Sequence, residues 1–218
     1  TAVIVALAII AVIVVSRLQA PATAAPSGSG EAINYAGQPT LGDENAPVQL
    51  AVFEDFKCPF CSQFEESVMP QLEREYIETG QAKLTFFNFH FLGPDSRTAA
   101  LASECAFAQN PAAFWDYKTV VYRAQGPESQ QWATSARLEE LARDVGDLDA
   151  PALRACVDEE RFADAVAADN DVARAAGVNA TPTLFVNGEQ VPSALDYASI
   201  KAAIDEALAQ ADPNPDQD

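Results

Sequence analysis

The sequence predicts an α/β domain carrying an inserted helical subdomain and preceded by a single apolar N-terminal segment. Three observations carry that reading. Hydrophobic spacing follows strand, helix and strand periods from Gln49 to Phe91, turns almost wholly helical across 95–176, and returns to period two after Gly177. Four or five helices between strands of one sheet exceed what a plain crossover needs, so they read as an insertion.

At the N-terminus, Ala2 to Val15 is unbroken apolar sequence with no charge before Arg17. At about 1.5 Å per residue it covers ~21 Å of a ~30 Å hydrocarbon core. Segment 1–18 therefore reads as a membrane anchor or signal segment, either an uncleaved single span or a secretory h-region with Ala20 to Ala24 as its cleavage site. Residues 19–32, rich in Ala, Pro, Ser and Gly, read as a flexible linker. The folded domain is assigned to 33–210, and the acidic stretch 211–218 to a disordered tail.

Within the domain, Ile33 to Asn45 suits an edge strand and a turn. Gln49 to Glu54 is a buried strand, and Cys61, Phe64, Val68, Leu72 and Tyr76 then mark one face of a helix, kinked near Pro70 and stopped at Gly80. Ala82 to Phe91 suits a second strand parallel to the first. Inside the insertion, about 95–176, Asp95 and Ser96 are candidate caps for a helix to Gln109. Further helices are expected over 112–124, over 135–145, from Pro151, and over 160–176. Thr183 to Val186 and Glu189 to Val191 flank Asn187-Gly188, a hairpin turn whose two positions need positive φ. Tyr197, Ile200, Ile204 and Leu208 mark a closing helix over 196–210.

Thirteen basic against 32 acidic residues give a formal charge of −19. With no basic patch to offset it, this excludes nucleic acid and anionic membrane surfaces as partners of the domain.

Chemistry concentrates at Cys58-Pro59-Phe60-Cys61, where the first strand runs into the first helix. The first N–H groups of a helix are unpaired and carry partial positive charge, so a sulfur placed there is favoured as thiolate. Pro59 suits the first helical position because its missing N–H would have been unpaired anyway. Cys58, at the exposed end, is the candidate nucleophile, and Cys61, one turn inside, the resolving thiol. The competing use of such a pair, half of a zinc site, needs two further ligands at comparable spacing; the remaining cysteines stand alone and the only histidine is His90. The reading is a dithiol/disulfide couple with no metal and no cofactor. His90, on an aromatic strand, reads as a core or strand-end residue. Glu54 and Asp55 are possible proton shuttles for Cys61.

Gln38-Pro39-Thr40-Leu41-Gly42, Ala46-Pro47-Val48, Phe53 to Cys61, and Gly177 to Gly188 together resemble the DsbA-like thiol:disulfide oxidoreductases, in particular the bacterial branch with an N-terminal membrane anchor. The resemblance covers about 33–209. It implies a thioredoxin fold interrupted by a helical insertion, with Cys58 as nucleophile, Cys61 as resolving cysteine and Thr181-Pro182 as the cis-proline loop. In that family the loop faces the cysteines, and the backbone of Thr181 would pair with an incoming peptide as an added strand. Pro59, Phe60, Thr181 and Pro182 are thus the expected substrate-binding residues.

The resemblance further implies a domain outside the cytoplasm, membrane-held through its single N-terminal span or else secreted or periplasmic after cleavage. It would act on cysteine-containing exported proteins and be reoxidised by a quinone-linked membrane partner of the DsbB or vitamin-K-epoxide-reductase type. In that compartment Cys105 and Cys156, each on an apolar helix face, are expected to form a structural disulfide, with two buried thiols as the alternative. Two departures stand out. The best-known DsbA proteins have Pro-His between the cysteines, and Phe60 can neither donate a hydrogen bond nor carry charge, so a less oxidising couple is expected. Thioredoxins also carry a buried acid six residues before the nucleophile, a position held here by Val52. The alternatives are a reductase or isomerase of the same fold, or a non-catalytic accessory subunit of a membrane complex.

Overall fold

A computed structural model describes residues 33–211. The N-terminal segment, the linker up to residue 32 and the tail from residue 212 lie outside the described residues, and no helix among those described is long and apolar enough to cross a membrane.

The sheet has five strands: β1 (Thr40–Leu41), β2 (Val48–Glu54), β3 (Ala82–Asn88), β4 (Thr183–Val186) and β5 (Glu189–Gln190), in the order β1-β3-β2-β4-β5. β2 and β3 run parallel in a seven-residue register, from Val48 against Ala82 to Glu54 against Asn88. β4 lies antiparallel to β2 on its other side, and the edge strands are both antiparallel additions. The β4–β5 turn takes φ 48° at Asn187 and φ 85° at Gly188, the positive values the dipeptide suits.

Alternation along β2 sends its side chains to two separate cores. Val48, Leu50 and Val52 join the larger one with Leu84, Phe86, the helix after the cysteines and the insertion. Ala51 and Phe53 join Phe87, Phe89, Val178 and Phe185 on the opposite face. Glu54 continues the even-numbered series, so it points the same way as Val52, toward the helix that carries Cys61.

That helix is α1 (Pro59–Ser67), followed by α2 (Met69–Leu72) and a π-helical turn over Glu73–Ile77. Pro70, expected to kink the helix, is the point of interruption, since a proline ring offers no N–H to the preceding turn. β3 ends at Asn88 rather than Phe91: Phe89 N still donates to Glu54 O at 2.8 Å, after which the chain turns away.

The insertion holds α3 (Pro94–Gln109), α4 (Pro111–Arg123), α5 (Ser135–Ala142), α6 (Ala150–Asp158) and α7 (Ala163–Ala175), and α8 (Tyr197–Ala211) closes the domain. Asn110, Thr134 and Asp149 cap α4, α5 and α6 with their side chains. Three expectations fail here. Gly93 holds the N-cap of α3 with no side-chain cap bond; the Asp95 carboxylate instead binds Lys57 Nζ, Trp132 N and Ala133 N. α7 starts at Ala163 rather than 160, because Glu160 is left-handed at φ 49° and breaks the approach. Ala211 belongs to α8, not to the tail.

Two covalent or polar ties fasten the insertion. Cys105 on α3 is bonded to Cys156 on α6, as the exported reading expected. Between α3, α7 and the sheet, Asn88 Nδ2 donates to Glu104 Oε1 at 2.8 Å and to Asp169 Oδ2 at 3.2 Å, while Gln38 Nε2 donates to Asp169 Oδ1 at 2.6 Å. His90 is a strand-end residue of the same seam: its N donates to Asn170 Oδ1, and its Nε2 lies 3.0 Å from Asn170 Nδ2.

Candidate active site

The C-terminal end of β2 hands the chain to α1 through a turn built on Asp55. Cys58 N donates to Asp55 O at 2.9 Å and Lys57 N to Asp55 Oδ1 at 2.9 Å. The other carboxylate oxygen accepts from Phe91 N, Leu92 N and Ser96 Oγ at 2.9, 3.0 and 2.6 Å. Asp55 therefore clamps the cysteine turn to the β3–α3 connection with four donors on its carboxylate.

Cys58 is the N-cap of α1, in extended conformation at φ −74° and ψ 118°, and Pro59 follows at the first helical position. Since Pro59 has no N–H, the nearest amides are those of Phe60 and Cys61, the latter also donating to Cys58 O at 3.1 Å, and both stabilise the Cys58 sulfur as an anion. Neither Cys58 nor Cys61 is disulfide-bonded. Cys58 is 5 % exposed and Cys61 fully buried, so only the first can meet a partner.

Their acidities separate accordingly. A hydrogen bond from the Cys61 thiol is the largest influence on Cys58; burial opposes it, and the Thr181 hydroxyl with the two amides adds to it, giving a pKa lowered to about 6. Cys61 is pushed far the other way, first by burial, then by donating to Cys58, then by the nearby Glu54 carboxylate. While protonated, Cys58 Sγ donates to Thr181 O at 3.2 Å. Thr181 Oγ1 is buried with no other partner among the described residues, which leaves that hydroxyl free to donate once the sulfur ionises. The Thr181–Pro182 peptide is cis. The sequence reading gave Thr181 only a backbone role; the hydroxyl is an addition, and a Thr preceding the proline was its signal.

Glu54 occupies a different environment from Asp55. It is buried, with Oε2 3.1 Å from Lys118 Nζ, which in turn lies 2.5 Å from Glu65 Oε1. Rings of Phe86, Trp115 and Tyr122 surround the ammonium at 5.1 to 5.6 Å. The contact with Glu54 is an ion pair in distance but lacks good hydrogen-bond geometry, so both Glu54 oxygens retain acceptor capacity. Burial outweighs Lys118 and raises the Glu54 pKa to about 8. The acid absent at Val52 thus appears two residues on, on the same face of the same strand and one step nearer the cysteines. Lys118 and Glu65 were missed as site residues; Glu65 reads as the polar side of a surface helix, and the only trace of Lys118 is its place among the aromatics of α4.

Phe60 is 59 % exposed and Phe91 48 %, the two large hydrophobics most open to solvent among the described residues. Phe60 forms one wall of an open groove whose other walls are Thr181, Pro182, Val191, Pro192 and Leu195. The structure therefore brings together Cys58, Cys61, Pro59, Phe60, Thr181, Pro182 and Glu54, places Asp55 beneath them as a clamp, and sets the Cys105–Cys156 bond apart in the insertion. A nucleophilic thiolate, a buried second thiol, an acid near neutrality and an open groove of mixed polar and apolar lining suit thiol–disulfide exchange with a polypeptide.

Comparison with known proteins agrees with that chemistry. A thioredoxin family model matches residues 35–206. Disulfide bond formation protein D of Bacillus subtilis is 36 % identical over 172 residues, spanning 79 % of this chain and 78 % of that protein. The oxidised crystal structure of BdbD from Bacillus subtilis superposes with a TM-score of 0.79 at 35 % identity, covering 81 % of this chain and 96 % of that one. DsbA of Chlamydia trachomatis gives 0.73 at 26 % identity over 86 % and 96 %. With the fold, the redox pair and these relatives in agreement, the chain belongs to the thioredoxin family and, within it, to the DsbA-like protein-disulfide oxidoreductases.

Proposed function

We propose that Cys58 and Cys61 are the working couple of this oxidoreductase and that it runs as a dithiol oxidase, introducing disulfides into cysteine-containing exported proteins. A substrate thiolate attacks Cys58 Sγ of the oxidised couple, the Cys58–Cys61 bond breaks, and Cys61 leaves as a thiolate. The protonated Glu54 carboxyl supplies the proton that the departing Cys61 sulfur needs. A second substrate thiolate then attacks the substrate sulfur of the mixed disulfide and releases the Cys58 thiolate, so two electrons pass from substrate to couple. The observation that carries this reading is the split between an acidified, reachable Cys58 and a buried, unacidified Cys61. Good leaving-group character at Cys58 favours release of oxidised product.

Thr181 and Pro182, with Pro59 and Phe60, form the substrate-binding rim, the Thr181 backbone accepting an extended peptide segment. A Cys58 pKa of about 6 lies between those of thioredoxin, about 7, and the most oxidising DsbA-type couples, about 3.5, which supports a milder oxidant. Reoxidation falls to a quinone-linked membrane partner of the DsbB or vitamin-K-epoxide-reductase type. The domain works outside the cytoplasm, tethered by its N-terminal apolar segment.

Equilibration with glutathione redox buffers, read by quenched alkylation, tests the direction. A potential between about −180 and −120 mV is expected; one below about −250 mV assigns the chain to reduction. A Cys61→Ala variant expressed outside the cytoplasm is expected to accumulate mixed disulfides with exported proteins, and recovery of none would overturn the substrate assignment.

A further inference from the structure

The insertion reaches the nucleophile at one place that neither the cysteine motif nor the proline loop accounts for. Gln125, just beyond α4, donates through Nε2 to Phe56 O at 2.8 Å and to Cys58 O at 3.0 Å. Both neighbours are carbonyl acceptors, so the amide orientation is fixed by chemistry. The Cys58 carbonyl already receives Cys61 N at 3.1 Å and Ser62 N at 3.3 Å, the first bonds of α1. Gln125 therefore adds a third donor on that carbonyl, at the origin of the helix whose first amides face the Cys58 sulfur.

The surrounding contacts hold Gln125 in that position. Its own N donates to Tyr122 O at 3.2 Å, and Ser62 Oγ approaches the same carbonyl at 3.4 Å, which ties the end of α4 to the first turn of α1. The chain then passes Gly126, where a Cβ would stand 2.7 Å from Trp132 Cγ, so the segment is folded tightly onto the Trp132 ring. Beyond that ring, Trp132 N and Ala133 N donate to Asp95 Oδ2 at 2.9 and 3.2 Å, and Asp95 Oδ1 holds Lys57 Nζ at 2.7 Å. The strap over 125–133 is thereby fastened at both ends to the three residues that lead into and include the nucleophile: Phe56 and Cys58 by Gln125, and Lys57 through Asp95.

We propose that Gln125 is a positioning residue for the redox couple, its carboxamide fixing the Phe56 and Cys58 carbonyls so that the first turn of α1 stays aimed at the Cys58 sulfur. The inference rests on the reading of Cys58 as nucleophile. Donors that share one carbonyl each bind it less tightly, so Gln125 on the Cys58 oxygen loosens that oxygen's hold on Cys61 N and leaves this amide freer to stabilise the thiolate, while the fixed carbonyl keeps the first turn in register. The thiolate exists only in the reduced form, so losing the clasp weakens the reduced form selectively and makes the protein a poorer oxidant.

The test uses Gln125→Met, which keeps length and loses the donors, and Gln125→Glu, which keeps shape and replaces donors by acceptors. Thiolate absorbance against pH, the equilibrium constant with glutathione, and the thermal midpoints of the oxidised and reduced forms are measured for both variants and the parent. One hydrogen bond is worth about 0.5–1.5 kcal/mol, or roughly a two- to twelvefold change in an equilibrium constant. Gln125→Met is expected to raise the Cys58 midpoint by about half to one pH unit and to shift the glutathione constant about three- to tenfold toward oxidised protein. Gln125→Glu is expected to go further, and in both variants the reduced form loses more thermal stability than the oxidised. Variants that melt earlier by equal amounts in both forms, with the midpoint and the glutathione constant within about twofold of the parent, would reduce Gln125 to a structural contact and overturn the proposal. If one variant fails to fold, the same readouts on the other decide. A parent protein with no acidic thiolate overturns the assignment of Cys58 as well, which separates the two failures.

Discussion

The sheet with its first helix and the helical insertion both reach Cys58, and they act on it by different means. β2, its turn and α1 supply the sulfurs and the amides through a few consecutive residues, so the geometry is local and follows from chain direction. The insertion supplies single long side chains across large sequence separations: Lys118 beside Glu54 and Gln125 on the Cys58 carbonyl. The local part makes exchange chemistry possible, while the distant part sets the electrostatic surroundings that decide how strongly reduction is favoured.

Removing the contribution of the insertion at its most buried point is expected to have the largest effect on stability. Lys118→Ala leaves Glu54 and Glu65 facing each other without a cation, a loss of about 3–5 kcal/mol by analogy with broken buried ion pairs. Lys118→Met paired with Glu54→Gln and Glu65→Gln is expected to recover most of that stability in denaturant melts while altering the redox potential. Recovery of both stability and potential would make the cluster purely structural.

Opening the Cys105–Cys156 bond tests whether the insertion must be rigid for the site to work. The bond closes a separation of 51 residues, and its loss is expected to cost up to roughly 4 kcal/mol in the chain-entropy model. In a Cys105→Ala, Cys156→Ala variant, the Cys58 midpoint is expected to move little below the melting temperature. A large shift would mean that the disulfide, rather than the strap at 125–133, holds the insertion against the couple.

Phe60→His alters only the local half of the comparison and is expected to have the smallest effect. An imidazole beside the sulfur adds one favourable contact to the thiolate, moving the potential upward by some tens of millivolts, at about 30 mV per 1.4 kcal/mol. Glutathione equilibration reads the shift. A fall in potential would show that the exposed ring of Phe60 itself stabilises the reduced form.

The same division explains what the sequence disclosed. Cys58, Cys61 and Pro59 were legible because a strand running into a helix dictates where sulfurs and free amides lie. Thr181-Pro182 was legible through family pattern, and the strand, helix and hairpin boundaries through changes of period. Asp95 misled because a carboxylate at a helix start has an ordinary use as a cap, whereas here Lys57 and two amides from 132–133 claim it. Glu54 and Asp55 were indistinguishable as adjacent acids; alternation along β2 sends one into the core beside Lys118 and leaves the other to clamp the turn. Gln125 and Lys118 carry no local signal at all, since their partners lie 67 and 64 residues earlier in the chain for the contacts with Cys58 and Glu54.

Thiolate absorbance of the fully reduced protein, titrated alongside stability, tests the central claim most directly. Cys58 is depressed in the fold to about 6 from the ordinary thiol value of 9.0, so its contribution to the stability of the reduced form is complete above about pH 9 and is lost as pH falls through about 6. One thiolate should appear with a midpoint near pH 6, be absent from Cys58→Ser, move upward in Cys61→Ala as the thiol donor is lost, and be matched by a reduced-minus-oxidised stability difference that shrinks toward pH 6. A reduced protein whose two thiols both titrate near or above pH 9, with a stability difference flat from pH 6 to 9, would contradict the account.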